Sequence, residues 1–214
     1  MITDRDGNIN FFIGGAMDSA KGSRSPIYAA RASLLKVTGN SKTPYDKTFT
    51  WGFATRNGGI SKQILMFPIN LIKAIFGIKG HSAAFTHIKN LRDTGKISLD
   101  KSIHLYGHSW GGAASMRLCQ ELEEVGISVA QVNTFDPVSI ISRAEKPYGS
   151  NVKWNNYYPS SRTRKFPDIV AKIGSIWEKR PKADNNYSVT NWLNKPEGKS
   201  GHMGVLYPHE LKPE

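Results

Sequence analysis

Cysteine is nearly absent from this chain of 214 residues: Cys119 stands alone, so no disulfide can form within it. Chains that do not depend on disulfides are typical of reducing compartments. Long apolar runs are absent too, because the longest, residues 64–78, contains Pro68, Lys73 and Gly77 and is shorter than the roughly 20 residues of a membrane-spanning helix. The first ten residues are polar and do not resemble a secretory signal. These features predict a protein that is cytoplasmic in the cell that makes it.

Acidic residues are scarce relative to basic ones: the chain has 17 Asp and Glu but 29 Lys and Arg, so its net charge is +12. Such an excess predicts a negatively charged partner (nucleic acid, an anionic membrane or an acidic protein) or else only a solvated basic surface. No recognised nucleic-acid-binding motif accompanies the charge, so an anionic phospholipid surface is favoured over nucleic acid. The sequence also has no phosphate-binding loop and no His/Cys cluster with metal-ligand spacing, so we expect no cofactor and no required metal.

Apolar runs and helical periodicities alternate along the chain, in which 39% of residues are hydrophobic and 21% charged, as in globular domains. The patterns predict strands over residues 9–13, 48–54, 102–106, 128–135 and 152–158, and helices over 25–36, 81–92, 111–124 and 167–177. The remaining chain beyond residue 160 is predicted to be rich in loops. Strand–helix alternation is typical of α/β folds, so we predict a single domain over residues 1–214 with a mainly parallel sheet of about five to six strands and helices on both faces.

The motif with the clearest chemistry is Gly-His-Ser-Trp-Gly at residues 107–111, which fits the pattern Gly-x-Ser-x-Gly. The pattern alone is common, but here an apolar strand precedes it and an amphipathic helix follows it, which is the setting of a nucleophile elbow. Glycine is needed on either side of Ser109 because side chains there would collide with the neighbouring strand and helix. The sequence therefore predicts a nucleophilic Ser109 rather than an ordinary glycine-rich turn.

A serine hydroxyl needs a base to take its proton, and a carboxylate orients that base. In folds with such an elbow the chain order is Ser, then Asp or Glu, then His. We expect His202, which lies in a glycine-flanked segment, to be the base, with His209 as the alternative. Asp136 ends the apolar strand after the elbow and is the expected carboxylate, with Asp168 in reserve and Asp184 as a weaker third candidate.

The charged oxygen of a tetrahedral intermediate needs preorganised hydrogen-bond donors. One expected donor is the backbone N–H of Trp110, at the start of the helix after Ser109. A second usually comes from the loop after an earlier strand, and the strand that ends in Gly14-Gly15-Ala16 fits, because glycine lets backbone approach a substrate closely. We expect Gly15 and Ala16 to supply this donor; a tight turn with no catalytic part is the alternative.

Three segments together, Gly107–Gly112, Asp136-Pro137-Val138 and Gly201-His202, resemble lipases and esterases of the α/β-hydrolase superfamily. An Asp-Pro pair after the strand that follows the elbow is similar to the lipase branch, in which the acid lies one strand earlier than in most hydrolases. The resemblance implies an α/β-hydrolase-like sandwich and a serine hydrolase of carboxylic esters, a lipase or phospholipase. Residues 12–16 also resemble small bacterial hydrolases, some of which are lipase effectors exported without a signal, and this would imply export machinery or a neutralising protein as partners.

Two further features bear on the substrate. Residues 60–78 form an apolar insert before the elbow strand, which we interpret either as buried core or as a lid that touches lipid. Trp110 departs from the resemblance, because many lipases have Leu or Met there, and we expect it to shape the acyl pocket. Two alternatives to a lipase stay open: a thioesterase or peptidase with the same triad, and a catalytically silent basic module that binds membranes or nucleic acid.

Overall fold

The computed structural model describes residues 8–15, 26–50, 79–98, 101–138, 151–160, 182–191, 205–206 and 208–213. The helices in these ranges are α1 (Pro26–Thr38), α2 (Lys79–Asp93) and α3 (Trp110–Glu124). The strands are β1 (Asn8–Ile13), β2 (Lys47–Phe49), β3 (Ser102–His108), β4 (Val129–Phe135), β5 (Lys153–Pro159), β6 (Asn185–Asn191) and β7 (Pro208–Pro213). Among the described residues, no helix is both long and apolar enough to cross a bilayer.

The seven strands of the described ranges form one sheet, in the order β2-β1-β3-β4-β5-β6-β7. Strands β1 to β6 pair in parallel with their neighbours, and β7 runs antiparallel to β6. The carboxyl ends of β1, β3 and β4 therefore meet at one end of the sheet. The chain places β2 on one side of β1 and β3 on the other, and α/β folds bind ligands at the carboxyl ends beside such a reversal of strand order.

Helices cover both faces of the sheet, because successive side chains of a strand point to opposite sides. On one face, α2 and α3 pack onto aliphatic residues such as Ile103, Leu105 and Val132. On the other face, α1 packs onto aromatic residues such as Phe12 and Tyr106. The residues that α1 buries recur at helical spacing: Ile27, Ala30, Leu34 and Leu35. The sheet is thus the middle of three layers.

Stacked aromatic rings cross the α1 face of the sheet from strand to strand. The ring centroids of Phe135 and Tyr157 are 4.6 Å apart, and those of Tyr157 and Tyr187 are 5.0 Å apart. Further along the sheet, Phe12 of β1 stacks on Tyr106 of β3 at 4.7 Å. Each pair is directly opposite in the parallel register, so the alignment of the strands sets the stacking. Burial raises the pKa of the Tyr157 hydroxyl above its ordinary range.

Side-chain amides are also paired between strands on each face, across β4, β5 and β6 on one and between β5 and β6 on the other. On the α1 face, Asn185 Nδ2 donates to Asn155 Oδ1 at 2.8 Å, and Asn155 Nδ2 donates to Asn133 Oδ1 at 3.0 Å. We call Asn133, Asn155 and Asn185 the amide ladder. On the opposite face, Asn156 Nδ2 donates to Asn186 Oδ1 at 3.0 Å. The tripeptide Asn-Asn-Tyr occurs in both β5 and β6, and its two copies pair residue for residue.

The predicted α/β fold with a mainly parallel sheet and helices on both faces is confirmed. Two details of the prediction are wrong. The strand predicted over residues 48–54 is β2, which ends at Phe49, so that Thr50 already lies outside it. The chain beyond residue 160 contains β6 and β7, which raise the number of strands in the described ranges to seven. The predicted helix over 167–177 and the insert over 60–78 lie outside the described residues.

Candidate active site

Ser109 stands between β3 and α3 in a strained backbone conformation, with φ 56° and ψ −126°. A side chain makes such a φ unfavourable, and non-glycine residues adopt it mainly where the surrounding structure enforces it. Two hydrogen bonds do so here: Ser109 N donates to Phe135 O of β4 at 3.0 Å, and Ser109 O accepts from Gly112 N at 2.9 Å. The strand therefore ends and the helix begins at this single residue, as a nucleophile elbow requires.

The glycines on either side of Ser109 have no room for a side chain. A Cβ on Gly107 would lie 2.3 Å from Ser115 Oγ, and one on Gly111 would lie 2.1 Å from Ile13 O of β1. Ser115 also donates its hydroxyl to Gly111 O at 2.7 Å, which fixes the first turn of α3. The close approach predicted from the motif is thus observed. The contribution of Ser115 was not predicted from the sequence. A serine within a helix can donate its hydroxyl to the carbonyl four residues earlier, so its spacing from Gly111 could have indicated this bond.

Asp136 occupies the equivalent position at the end of the next strand. His108 of β3 pairs with Phe135 of β4, so Ser109 and Asp136 each follow directly and extend from neighbouring strands, which lie about 4.8 Å apart. Asp136 also has a positive φ, of 44°, and its N–H donates to Tyr157 O of β5 at 2.7 Å. Its side chain is 1% exposed. Among the described residues, Ser109 and Asp136 are the two non-glycine residues with positive φ.

Gly15 brings the end of β1 against the serine. A Cβ on Gly15 would lie 2.7 Å from Ser109 Cβ and 3.2 Å from Ser109 Oγ, so only glycine fits there. The preceding residue is held by the sheet, because Gly14 N donates to Phe49 O of β2 at 2.9 Å. The backbone of the β1 loop therefore passes next to the hydroxyl, where a donor for a developing oxyanion is needed.

Trp110 is the first residue of α3, one position before the predicted start of that helix. The first N–H groups of a helix have no partner within it and carry the positive end of its dipole. Trp110 N–H lies among them, directly after Ser109. The indole side chain is 9% exposed and packs with the aliphatic core on the α2 and α3 face.

The remaining predicted site residues are either outside the described residues or in other parts of the fold. Ala16, Asp168 and His202 are outside the described residues. His209 lies in β7, at the far side of the sheet and four strands from β3, so the backbone does not bring it to Ser109. Asp184 precedes β6 and accepts the N–H of Trp154 at 2.6 Å through its carboxylate, which is a structural contact at the start of β5.

Three other described histidines are buried in the framework. His104 is 6% exposed within β3, and burial lowers its pKa to about 4. His81 of α2 lies 3.3 Å from Glu121 of α3, and burial lowers its pKa too. His108 is buried in the strand before Ser109. Among the residues that the structure describes, no three or more His, Cys, Asp or Glu side chains are grouped to hold a metal ion.

The solved structures to which this chain shows some similarity include several hydrolases. A protein assigned as a cell-surface hydrolase from Lactobacillus plantarum is 11% identical, with a TM-score of 0.45 over 93% of this chain and 86% of that one. A protein assigned to the alpha/beta superfamily of hydrolases, from Xanthomonas campestris, is 8% identical, with a TM-score of 0.36 over 70% of each chain. A pyrethroid hydrolase from Sphingobium faniae is 19% identical, with a TM-score of 0.27 over 61% of this chain and 40% of that one. No protein-family model and no curated protein matches the sequence.

The described residues include several groups that nucleophilic catalysis by a serine would use. A hydroxyl stands on a strained turn, a buried carboxylate ends the adjacent strand, and backbone from β1 and α3 borders the hydroxyl. Groups placed in this way suit nucleophilic attack on a carbonyl carbon, with charge developing on the carbonyl oxygen.

Proposed function

We propose that this protein is a serine hydrolase of carboxylic esters, acting as a lipase or phospholipase through Ser109, His202 and Asp136. The observation that carries the proposal is that two strained residues, Ser109 and Asp136, follow the ends of neighbouring strands. Gly15 also packs against the hydroxyl of Ser109. Strain of this kind persists where function needs it, because it costs about 1–3 kcal/mol per residue.

The reaction begins when His202 takes the proton of Ser109 Oγ as that oxygen attacks the ester carbonyl. The negative oxygen of the tetrahedral intermediate accepts hydrogen bonds from Trp110 N–H and from the β1 loop at Gly15 or Ala16. Collapse of the intermediate breaks the ester C–O bond, and the imidazolium gives its proton to the departing alcohol. Asp136 holds the imidazole in the productive tautomer and stabilises its cation.

Water completes the cycle. It loses a proton to His202 as it attacks the acyl-enzyme carbonyl, and the second tetrahedral intermediate uses the same donors. Its collapse breaks the bond to Ser109 Oγ, which takes the proton back from the imidazolium, and the carboxylic acid leaves.

The position of His209 supports His202 as the base. Val205 is buried on the α1 face of the sheet, in the cluster that also contains Phe12, Phe135 and Val189. Three residues of chain span at most about 11 Å, which limits how far His202 can lie from Val205. His209, in contrast, is in β7, four strands from Ser109, or about 19 Å across the sheet.

A lipid substrate is supported by the apolar insert over residues 60–78 and by the net charge of +12. Apolar residues would enter the bilayer surface, and basic residues would be attracted to anionic head groups, by about 1 kcal/mol each. We expect faster hydrolysis of anionic than of zwitterionic vesicles, and a loss of this difference as salt rises. Replacing Phe67 and Phe76 by Ser should reduce activity on vesicles more than on a soluble short-chain ester. Equal loss on both would instead indicate damage to the core.

The test of the chemistry is covalent labelling. A fluorophosphonate probe should label the wild-type protein and the Ser41→Ala variant, which changes an exposed serine, but not Ser109→Ala. Hydrolysis of p-nitrophenyl esters should fall by several orders of magnitude in Ser109→Ala alone. Faster turnover of thioesters or peptides than of esters would favour the alternative enzymes. A folded wild-type protein that is neither labelled nor active would favour the silent binding module.

A further inference from the structure

The turn that carries Asp136 lies directly against the start of α3. A Cβ on Gly112 would lie 2.7 Å from Pro137 Cβ and 3.0 Å from Pro137 Cα. Both distances are shorter than van der Waals contact allows, and the obstacle includes backbone that cannot rotate away. Gly112 has an ordinary helical conformation, so this position needs glycine because of its neighbour and not because of its own backbone.

The same turn is also bonded to the nucleophile. Ser109 O accepts one hydrogen bond from Gly112 N at 2.9 Å and a second from Val138 N at 3.0 Å. One carbonyl oxygen therefore joins the elbow, the helix start and the turn after Asp136. Pro137 and Val138 are both buried, so these hydrogen bonds are shielded from bulk solvent.

We propose that Gly112 and Pro137 form a contact that positions the Asp136 carboxylate relative to Ser109. The inference rests on the proposed function and adds two positioning residues to it. The acid follows the strand next to the nucleophile, so its turn has to cross the first turn of α3 at close range. Only a residue without Cβ at position 112 lets the turn come near enough for Val138 N to reach Ser109 O. Any added atom there pushes the turn, and the carboxylate with it, away from the site.

The first measurement is the effect of Gly112→Ala on a soluble ester. We expect kcat to fall by about 100-fold with little change in KM, since displacements of about 1 Å in a catalytic group have effects of this size. The acid limb of the pH profile should also move to lower pH, because a carboxylate that is farther from the imidazolium raises its pKa less. Gly95→Ala is the matched control: Gly95 has φ 63° and open space around it, so this variant is strained but distant from the site.

The decisive measurement is rescue by a second substitution. Pro137→Gly removes the Cβ that Gly112→Ala would meet, at the cost of a looser turn, and alone should lower kcat several-fold. The Gly112→Ala/Pro137→Gly double variant should then be faster than Gly112→Ala, although slower than Pro137→Gly, because the Cα of residue 137 remains 3.0 Å from the added Cβ. Gly112→Ala/Pro137→Ala should stay as slow as Gly112→Ala, because alanine keeps the Cβ. The Pro137→Gly single variant also tests the contact if Gly112→Ala does not fold.

The outcomes separate this inference from the proposed function. Two results would overturn the positioning contact while leaving the proposed hydrolase intact. One is a wild-type kcat in Gly112→Ala, and the other is an equal recovery of kcat with glycine and with alanine at position 137. A wild-type protein without esterase activity and without fluorophosphonate labelling would refute the hydrolase. In that case the contact is still tested by urea unfolding, where the penalty of Gly112→Ala should shrink in the Pro137→Gly background and not in the Pro137→Ala background.

Discussion

The carboxyl ends of β3 and β4 differ in construction from the amide ladder across β4, β5 and β6. At the strand ends, backbone atoms make the contacts, glycines leave no room for side chains, and Ser109 and Asp136 have positive φ. In the ladder the backbone is extended, and polar side chains are paired from strand to strand. The amide ladder there bonds each asparagine to one on the next strand.

The difference shows that backbone strain is located at the candidate site and not in the amide ladder. A positive φ at a non-glycine residue costs about 1–3 kcal/mol, and the two such residues among the described ones follow neighbouring strands at the candidate site. The ladder region gains from hydrogen bonds between polar side chains that would be costly to bury without a partner, although Asn133 Nδ2 has no partner among the described residues. Changes at the strand ends should therefore alter activity more than stability, and changes in the ladder should do the reverse.

The largest expected effect is at the acid. Asp136→Asn keeps the size of the side chain but presents an amide that stabilises the wrong imidazole tautomer, so kcat should fall by about 10⁴-fold. The midpoint of urea unfolding should change little by comparison. Steady-state hydrolysis of a p-nitrophenyl ester gives the measurement, and Asp168→Asn, at the reserve candidate, is the matched control. If Asp168→Asn is the slow variant, the assignment of the acid is wrong.

The next effect concerns stability and pH in β3. His104 has a pKa of about 4 in the folded protein, whereas an unfolded histidine has about 6.5. Between these values the unfolded chain binds a proton that the folded one does not, so the free energy of unfolding falls as pH drops from 6.5 to 4. The loss approaches about 3 kcal/mol at the acid end. Urea unfolding at pH 7 and pH 4.5 should show a smaller loss for His104→Gln, and an equal loss in both proteins would contradict the prediction.

A somewhat smaller effect is expected within the amide ladder. Asn155→Ala removes the donor to Asn133 Oδ1 and the acceptor for Asn185 Nδ2, and should lower the free energy of unfolding by about 2 kcal/mol. Esterase activity of the folded variant should stay near that of the wild type. The exposed Asn151 offers a control, because Asn151→Ala should change neither quantity. A large loss of kcat in folded Asn155→Ala would remove the contrast between the two regions.

The smallest expected change in stability runs in the opposite direction. Ser109→Gly should abolish activity yet raise the free energy of unfolding by about 1 kcal/mol, because glycine adopts φ 56° without steric cost. Ser109→Ala also abolishes activity but keeps a Cβ, so it should show no such gain. Equal unfolding midpoints for the two variants would mean that the elbow is not strained.

The parts of the fold that were predictable from sequence are those with a local signal. Apolar runs marked β1, β3 and β4, which are covered on both faces, and helical periodicity marked α1, α2 and α3. The elbow was predictable because the glycines beside Ser109 answer a steric need that lies within the same motif. Asp136 followed from the rule that parallel strands end at the same side of a sheet.

Strand β6 lacked such a signal, because hydropathy does not register a polar strand whose side chains are satisfied by another strand. Asn185 and Asn186 look like loop residues until β5 supplies their partners some 30 positions away in the sequence. The repeated tripeptide Asn-Asn-Tyr was the signal that could have revealed the pairing. The contact between Gly112 and Pro137 was equally hidden, since the sequence does not say how closely two turns approach.

The two outer strands of the sheet have a consequence for behaviour at high concentration. An exposed strand is a template on which a second molecule can add its own strand. Here β2 is three residues long and starts with Lys47, and β7 is bounded by Pro208 and Pro213, neither of which can donate a backbone hydrogen bond. Among the described strands, both outer ones therefore offer a docking strand only a short or proline-bounded partner, which disfavours growth into ordered aggregates by strand addition at these two strands.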